Sequence, residues 1–336
     1  MKEKIIVTGA AGFIGFHFIQ KVLKAGELEV VGIDNLNDYY DPELKKSRLK
    51  ILKGLDFFSF TELDLQDKAG LDTLFSEVKP SFVLNLAAQA GVRYSIENPH
   101  AYTETNITGF LNILEMSKKY TIKHLLFASS SSVYGMNQQA VFSENMSTEH
   151  PLSMYAATKK ANEMMAHSHS SLFNLPVTGL RFFTVYGPYG RPDMALFMFT
   201  KSILEGKTID VFNHGDMQRD FTFVDDIVES VFRLIHVIPK GKEKDTPLAS
   251  DSSFAPYDIY NVGNGSPSQL MDYVGCIESE LGIKAKINFM PLQAGDVPKT
   301  FANTDKLFAA TGFRPNTKIQ DGVKKFVAWY KEYYGV

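Results

Sequence analysis

Cysteine is almost missing from this chain of 336 residues: Cys276 stands alone. A single thiol closes no disulfide within the chain and excludes a metal site of clustered thiolates. Arginine is scarce too, seven in all, so each one that falls in a motif is informative. There is no excess of positive charge. The formal net charge is −3, which leaves no basic footprint for nucleic acid. No apolar stretch approaches the roughly 18 residues that a membrane-spanning helix needs. The opening segment Met1-Lys-Glu-Lys-Ile-Ile-Val-Thr-Gly9 runs straight into an apolar strand and a turn, with no room for a signal peptide. Eight histidines show no metal pattern. His167 and His169 are two apart on a helical segment and so do not share a face. The expectation is a cytoplasmic protein with no metal, no membrane contact and no nucleic-acid partner. Cys276 is expected to be a small buried hydrophobe.

What is present is an alternation of short apolar runs with helical stretches. Ile5–Val7, Glu29–Ile33, Phe57–Phe60, Phe82–Leu86, His124–Ala128 and Val177–Phe182 read as six strands, and Phe13–Ala25 as the first helix. Such alternation predicts a parallel sheet covered by helices on both faces. After about residue 180, loops rich in Gly, Pro and Asp appear: Tyr186–Asp193, Asn261–Gly265 and Gln293–Asp296. They suggest a smaller region built around a ligand. Pro239–Pro256 reads as a polar surface insertion. The tail Phe326–Tyr334 carries aromatics at helical spacing, expected to pack on the core.

Gly9-Ala-Ala-Gly12-Phe-Ile-Gly15 follows the first strand and opens the first helix. Glycine there avoids a Cβ clash and lets the backbone approach a diphosphate, while the helix N-terminus supplies free N–H donors. Asp34 ends the second strand, 19 residues after Gly15, where a carboxylate accepts hydrogen bonds from a ribose and repels a 2′-phosphate. A lone glycine triplet is a weak signal. With strand, helix and acid in place it predicts a Rossmann-type, doubly wound α/β fold that binds NAD rather than NADP. The expected division is 1–180 for the NAD-binding domain. Residues 181–336 would mainly form a smaller substrate-binding region, interleaved with the first.

Tyr155 and Lys159 are four apart and share a helix face. About one Tyr-x-x-x-Lys pair is expected by chance in a chain with 15 Tyr and 28 Lys. Position makes this pair informative. It falls 25 residues after Ser130, in the hydroxyl-rich run Ala128-Ser-Ser-Ser-Ser-Val-Tyr-Gly135. A phenol is a poor base at neutral pH, but nearby positive charge favours phenolate. Tyr155 is therefore the expected proton acceptor, Lys159 its helper and a ligand for the cofactor ribose. Ser130 is expected to orient the reacting oxygen.

The Gly-x-x-Gly-x-x-Gly spacing resembles the extended short-chain dehydrogenase/reductase superfamily over essentially the whole chain. The resemblance implies cofactor contacts from Gly9, Gly12, Phe13, Ile14 and Gly15, and from Asp34, Asn35 and Asn37. It adds Asp64 and Leu65 after strand three, Leu86, Ala87, Ala88 and Gln89 in Asn85–Gly91, and Asn106 in Thr105-Asn-Ile-Thr-Gly109. Within the nucleotide-sugar branch the chain is similar to bacterial and plant UDP-glucuronate 4-epimerases. The shared strings are Gly91-Val-Arg-Tyr-Ser95, Tyr155-Ala-Ala-Thr-Lys-Lys-Ala-Asn-Glu163, Arg181-Phe-Phe-Thr-Val-Tyr-Gly-Pro188, Gly190-Arg-Pro-Asp-Met194 and Arg219-Asp-Phe-Thr-Phe-Val-Asp-Asp226.

Three contrasts bear on the substrate. Dehydratases of this branch carry Asp-Glu before Val-Tyr-Gly, and decarboxylases a Glu. This chain has Ser131 and Ser132. Galactose epimerases carry Asn in the Arg-Tyr-Phe-Asn string, where this chain has Thr184. Hydroxyls there suit an anionic sugar, which a Glu would repel. Arg191 adds a cation able to grip a carboxylate with two bonds. Arg219 resembles the diphosphate-binding arginine, Arg93 faces either the diphosphate or the sugar, and Gln293 and Asp296 resemble contacts to the uridine end. The resemblance implies NAD, a UDP-sugar substrate and a homodimer formed through the Tyr155 helix and its neighbour. The expected reaction is NAD-dependent 4-epimerisation of UDP-glucuronate through a 4-keto intermediate. Open alternatives are a UDP-uronate decarboxylase, an epimerase of neutral or N-acetylated UDP-hexoses, and a non-catalytic NAD-sensing protein.

Overall fold

The structure, a computed structural model, describes residues 2–243, 245–292 and 299–336. Gln293 and Asp296 lie outside the described residues. The chain begins β1 (Glu3–Thr8), α1 (Phe13–Ala25), β2 (Leu28–Asp34), α2 (Pro42–Lys53), β3 (Phe58–Glu62), α3 (Lys68–Val78) and β4 (Phe82–Asn85). A broken helical stretch follows: α4 (Tyr94–Glu97), α5 (Pro99–Tyr102), a π-helical segment Thr103–Gly109 and α6 (Phe110–Lys119). Then come β5 (His124–Ser130), a 3₁₀ turn Ser131–Tyr134, α7 (Met154–Phe173) and β6 (Val177–Phe182).

The remainder is β7 (Thr184–Tyr186), α8 (Ala195–Leu204), β8 (Thr208–Val211), β9 (Gln218–Arg219), β10 (Phe221–Phe223), α9 (Val224–Leu234) and β11 (Tyr257–Val262). After these run β12 (Ser268–Gln269), α10 (Leu270–Leu281), β13 (Lys286–Phe289), β14 (Lys299–Thr300), α11 (Asp305–Thr311) and α12 (Ile319–Tyr334). Among the described residues no helix is long and apolar enough to cross a membrane.

Seven parallel strands form the central sheet in the order β11-β6-β5-β4-β1-β2-β3. Alternate residues of each strand feed opposite faces. Ile5 and Val7 join the core with α1, α2 and α9, while Ile6 joins the core with α3, α6 and α7. Burial on both faces explains why these strands read as continuous apolar runs. The strand order reverses between β1 and β4, and a crevice opens there beyond the strands' C-terminal ends.

Six strands were legible in the sequence; the seventh, β11, was not. Its residues Asn261 and Val262 fall in a segment expected to be a loop, yet they pair with Arg181 and Phe182 of β6. The aromatic tail does pack inward. Phe326 and Tyr330 are buried, and Trp329 lies 4.8 Å from the Tyr189 ring. Cys276 is only partly buried, packed at the edge of the core.

The helix carrying the Tyr-Lys pair has a defined start. Ser153 is in extended conformation and its hydroxyl accepts from the Ala156 N–H at 3.1 Å. Such a cap contributes about 1 kcal/mol. It fixes α7 so that Tyr155 falls in the first turn and Lys159 one turn further, beside the end of β5.

Candidate active site

One cavity of about 1030 Å³ runs across the crevice. All the residues expected to hold the cofactor line it, from Gly9 to Gln89 together with Tyr155 and Lys159, with the exception of Asn106. Ser130, Ser131, Ser132, Thr184, Arg93, Arg191 and Arg219 line it as well. The structure therefore brings the expected catalytic, cofactor and sugar residues into a single space.

The glycine loop fits a dinucleotide. Gly9 has φ +70°, and a Cβ there would lie 2.9 Å from the Ala87 nitrogen. At Gly15 a Cβ would collide with the Gly9 carbonyl oxygen. The loop thus closes on the start of α1 with its backbone bare. Asp34 accepts from Ala11 N at 3.1 Å and Leu36 N at 2.9 Å. Burial raises its pKa, opposed by these bonds and by the charges of Lys45 and Arg48. Asn35 donates to Asp64 at 2.7 Å, joining the ends of β2 and β3 at the far rim.

Asn106 departs from expectation: it lies behind the cavity wall. Its carbonyl oxygen accepts from Gln89 N at 2.8 Å. Its amide donates to Gln89 O and to Thr158 Oγ1, both at 3.0 Å. Every polar atom of this buried side chain is used within the protein, which gives Asn106 a positioning role in this structure. It pins the Gln89 loop to α7, and the π-helical segment is the local distortion that lets it reach.

Lys159 is buried and donates to the Ala128 carbonyl at 2.9 Å. Desolvation depresses its pKa to about 8. Burial moves the Tyr155 phenol upward, opposed by Ser130 and by the charge of Arg191. The expected fall in the Tyr155 pKa is therefore not supplied by the protein's own groups. Burial outweighs them, and Lys159 is itself a weakened cation. Ser130 caps the 3₁₀ turn, accepting from Ser132 N at 3.2 Å, which stacks Ser130, Ser131 and Ser132 beside Tyr155.

Two supports escaped the sequence reading. Glu163 lies four residues past Lys159, continuing the i, i+4 face of Tyr155 and Lys159, and that spacing could have revealed it. It accepts from Ser129 at 2.7 Å and from Arg181 Nε and Nη2 at 2.8 and 2.9 Å. Burial would raise the Glu163 pKa, but the charge and hydrogen bonds of Arg181, with Lys160 and Ser129, together outweigh it and the net shift is downward. This buried pair ties α7 to β5 and β6 directly beneath the serines. Asp220, inside a quoted string but given no role, accepts from the backbone N–H groups of Asn264, Gly265 and Ala302 at 2.8, 2.9 and 3.0 Å. It gathers three loops beside Thr184, whose own N–H donates to the Asp220 carbonyl at 3.2 Å.

On the opposite wall Arg191 forms a fork with Asp193, its Nε donating to Oδ1 at 3.0 Å and its Nη2 to Oδ2. Burial opposes its charge, but Asp193 more than offsets this and raises the Arg191 pKa. Arg93 sits over the Phe212 ring, 5.3 Å from its centre. Arg219 donates to the Gln218 carbonyl at 3.0 Å, in a small sheet where β9 pairs with β12 and β14.

A model of the NAD dependent epimerase/dehydratase family matches residues 5–263. The chain belongs to that family. It is 55% identical to Protein CapI of Staphylococcus aureus, over 98% of this chain and 99% of that one. It is 46% identical to a probable UDP-glucuronate 4-epimerase of Rhizobium meliloti, over 98% of each chain. Among solved structures it is similar to UDP-glucuronic acid 4-epimerase from Bacillus cereus in complex with UDP-glucuronic acid and NAD. There the TM-score is 0.88 and the identity 31%, over 98% of this chain and 100% of that one.

Proposed function

We propose that this protein is an NAD-dependent UDP-sugar 4-epimerase that interconverts UDP-glucuronate and UDP-galacturonate. The observation that carries the substrate is local. Ser131, Ser132, Thr184 and Arg191 line the same cavity as Tyr155. They offer hydroxyl donors and a cation to a sugar carboxylate where a Glu would repel it. The relatives named for UDP-glucuronate support the same reading.

NAD would lie along the glycine loop, where it would supply a hydride acceptor for the sugar and a donor for the return. Gly9, Gly12 and Gly15 leave room for its diphosphate, and Asp34 meets a ribose. Tyr155 takes the proton of the sugar 4-hydroxyl and gives it back after the ring has turned. Lys159 and Ser130 hold the reacting groups in line. Arg219 anchors the UDP diphosphate while the sugar swings, with Arg93 beside it. Gln293 and Asp296 belong by resemblance to the uridine end. The 4-keto uronate is a β-keto acid, which loses CO₂ when its carboxylate stands perpendicular to the carbonyl plane. Thr184, Ser131, Ser132 and Arg191 act as a clamp against that orientation.

We also propose a functional division near residue 180, a homodimer and a cytoplasmic location. The dimer is supported by exposed apolar residues on neighbouring helices: Met164, Leu172 and Phe173 of α7, and Leu111 of α6. The test is to incubate the purified protein with UDP-glucuronate, without added NAD, and identify the products. UDP-galacturonate is expected. A UDP-pentose as main product replaces the reading with decarboxylation, and no reaction with any UDP-sugar leaves a cofactor-sensing protein. In Arg191→Gln, release of UDP-pentose beside UDP-galacturonate is expected, and slower turnover without it removes the clamp.

A further inference from the structure

Arg48 is fully buried, yet among the described residues no carboxylate forms an ion pair with it. A buried cation without a direct ion pair is costly unless its hydrogen bonds are well met, so its contacts call for an explanation. Its Nη1 donates to the Ala11 carbonyl and to Tyr40 Oη, both at 2.7 Å. Its Nη2 donates to the Tyr189 carbonyl at 2.7 Å. One guanidinium therefore joins the glycine loop, α2 and the loop that carries Arg191. A second link runs in parallel: Tyr39, from the segment after β2, donates its hydroxyl to Asp193 Oδ2 at 3.2 Å. Asp193 is the carboxylate that holds Arg191 in its fork. Tyr39 is itself placed against the Tyr94 ring at 5.1 Å, on the cofactor side of the cavity.

We propose that Arg48 and Tyr39 form a two-point brace that positions Arg191 for the sugar carboxylate. They are positioning residues: recognition of the uronate on one wall is set by side chains rooted in the cofactor side. Arg48 fixes the height of the 187–193 loop over the glycine loop, and Tyr39 fixes the rotation of the Asp193–Arg191 fork. The brace also gives the buried charge of Arg48 a setting, since it lies beneath a loop shaped for an anionic diphosphate. This inference rests on the reading of Arg191 as the carboxylate ligand.

The test is a set of initial-rate measurements on the purified protein with UDP-glucuronate, with UDP as a competitive inhibitor. Tyr39→Phe removes one neutral hydrogen bond and should raise KM about fivefold, with kcat within about twofold and the inhibition constant of UDP unchanged. Arg48→Met should raise KM by about twentyfold or more with the same pattern, and Arg48→Lys should recover part of the loss. If KM stays within about twofold of wild type in both Tyr39→Phe and Arg48→Met, the brace is wrong. It is equally wrong if KM and the UDP inhibition constant rise in the same proportion, which marks general loosening. Arg191→Gln separates the two levels. A raised KM in Arg191→Gln with none in the brace variants overturns the brace alone; an unchanged KM in Arg191→Gln overturns the carboxylate reading beneath it.

Discussion

The two walls of the cavity are made in different ways. The cofactor wall consists of consecutive strand ends of one parallel sheet, with each turn flowing into a helix. The substrate wall is assembled from the pieces β7 with β10, β9 with β12 and β14, and the 187–193 loop, tied together by Asp220, Arg48 and Tyr39. The first wall is rigid by topology. The second is held by individual polar side chains, each bridging segments far apart in sequence. A fold can thus keep one cofactor site while changing sugars by altering a few residues on the second wall.

The sharpest way to break this division is at the helix that serves both walls. Tyr155→Phe removes the phenol proposed to exchange the sugar proton while leaving the ring contact with Tyr102, 6.1 Å between centres, in place. Loss of a general acid–base group predicts a fall in kcat of about 10³-fold. The bound NAD and the unfolding temperature should be unchanged. Chromatography of UDP-sugar products and of NAD released on denaturation measures both. Turnover within tenfold of wild type would remove Tyr155 from the chemistry.

The unequal legibility of the two walls follows from the same difference. Gly9, Gly12, Gly15 and Asp34 are constrained by local geometry, so their spacing, read with the strand before and the helix after, exposes them. Tyr155 and Lys159 are one helical turn apart, again a local relation. Arg48 and Tyr39 could not be found this way. Their partners Tyr189 and Asp193 lie 141 and 154 residues away, and no periodicity encodes such a contact. β11 was missed because its strand ends in Asn261-Val-Gly, turn-like chemistry that the sheet overrides by burying Asn261 under Glu144 and Phe142. Asn106 has partners within the protein, in Gln89 and Thr158, that its sequence string did not show, because a string does not say which side of a loop a side chain takes.

Acid should weaken the sheet that carries the cofactor wall. His124 of β5 is fully buried, its two ring nitrogens bonded to the Ile235 carbonyl at 2.9 Å and to Thr178 Oγ1 at 2.8 Å. Burial depresses its pKa to about 4, below the ordinary 6.5. The unfolded chain therefore takes up a proton below pH 6.5 that the folded chain refuses until about pH 4. Stability is unaffected above that window and falls as pH drops through it, by about 3 kcal/mol at most. Urea unfolding from pH 7 to 4 should show this loss, reduced in a His124→Gln variant that is folded at pH 7. An identical pH slope in the two proteins would place the acid sensitivity elsewhere, for instance at His17, whose pKa burial also holds near 4.

The smallest effect is expected on the substrate wall, and it tests whether that wall recognises charge. Thr184 opens β7 directly after the crossing from β6, and its backbone N–H is already engaged with the Asp220 carbonyl. Its hydroxyl is therefore the part of the residue left for a ligand, and Thr184→Val deletes it while keeping the β-branched shape that suits a strand. One hydrogen bond to a charged group corresponds to about tenfold or slightly more in affinity. KM for UDP-glucuronate should rise by about that factor, with the inhibition constant of UDP and the NAD content unchanged. Valine cannot replace the donor, so compensation must come from Ser131 or Ser132, which stand on the 3₁₀ turn at the end of β5 and not on β7. If KM for UDP-glucuronate is unchanged in Thr184→Val and in the matching Ser131→Ala and Ser132→Ala variants, the hydroxyl set is ordinary strand-end chemistry. Recognition of the uronate would then rest on Arg191 alone.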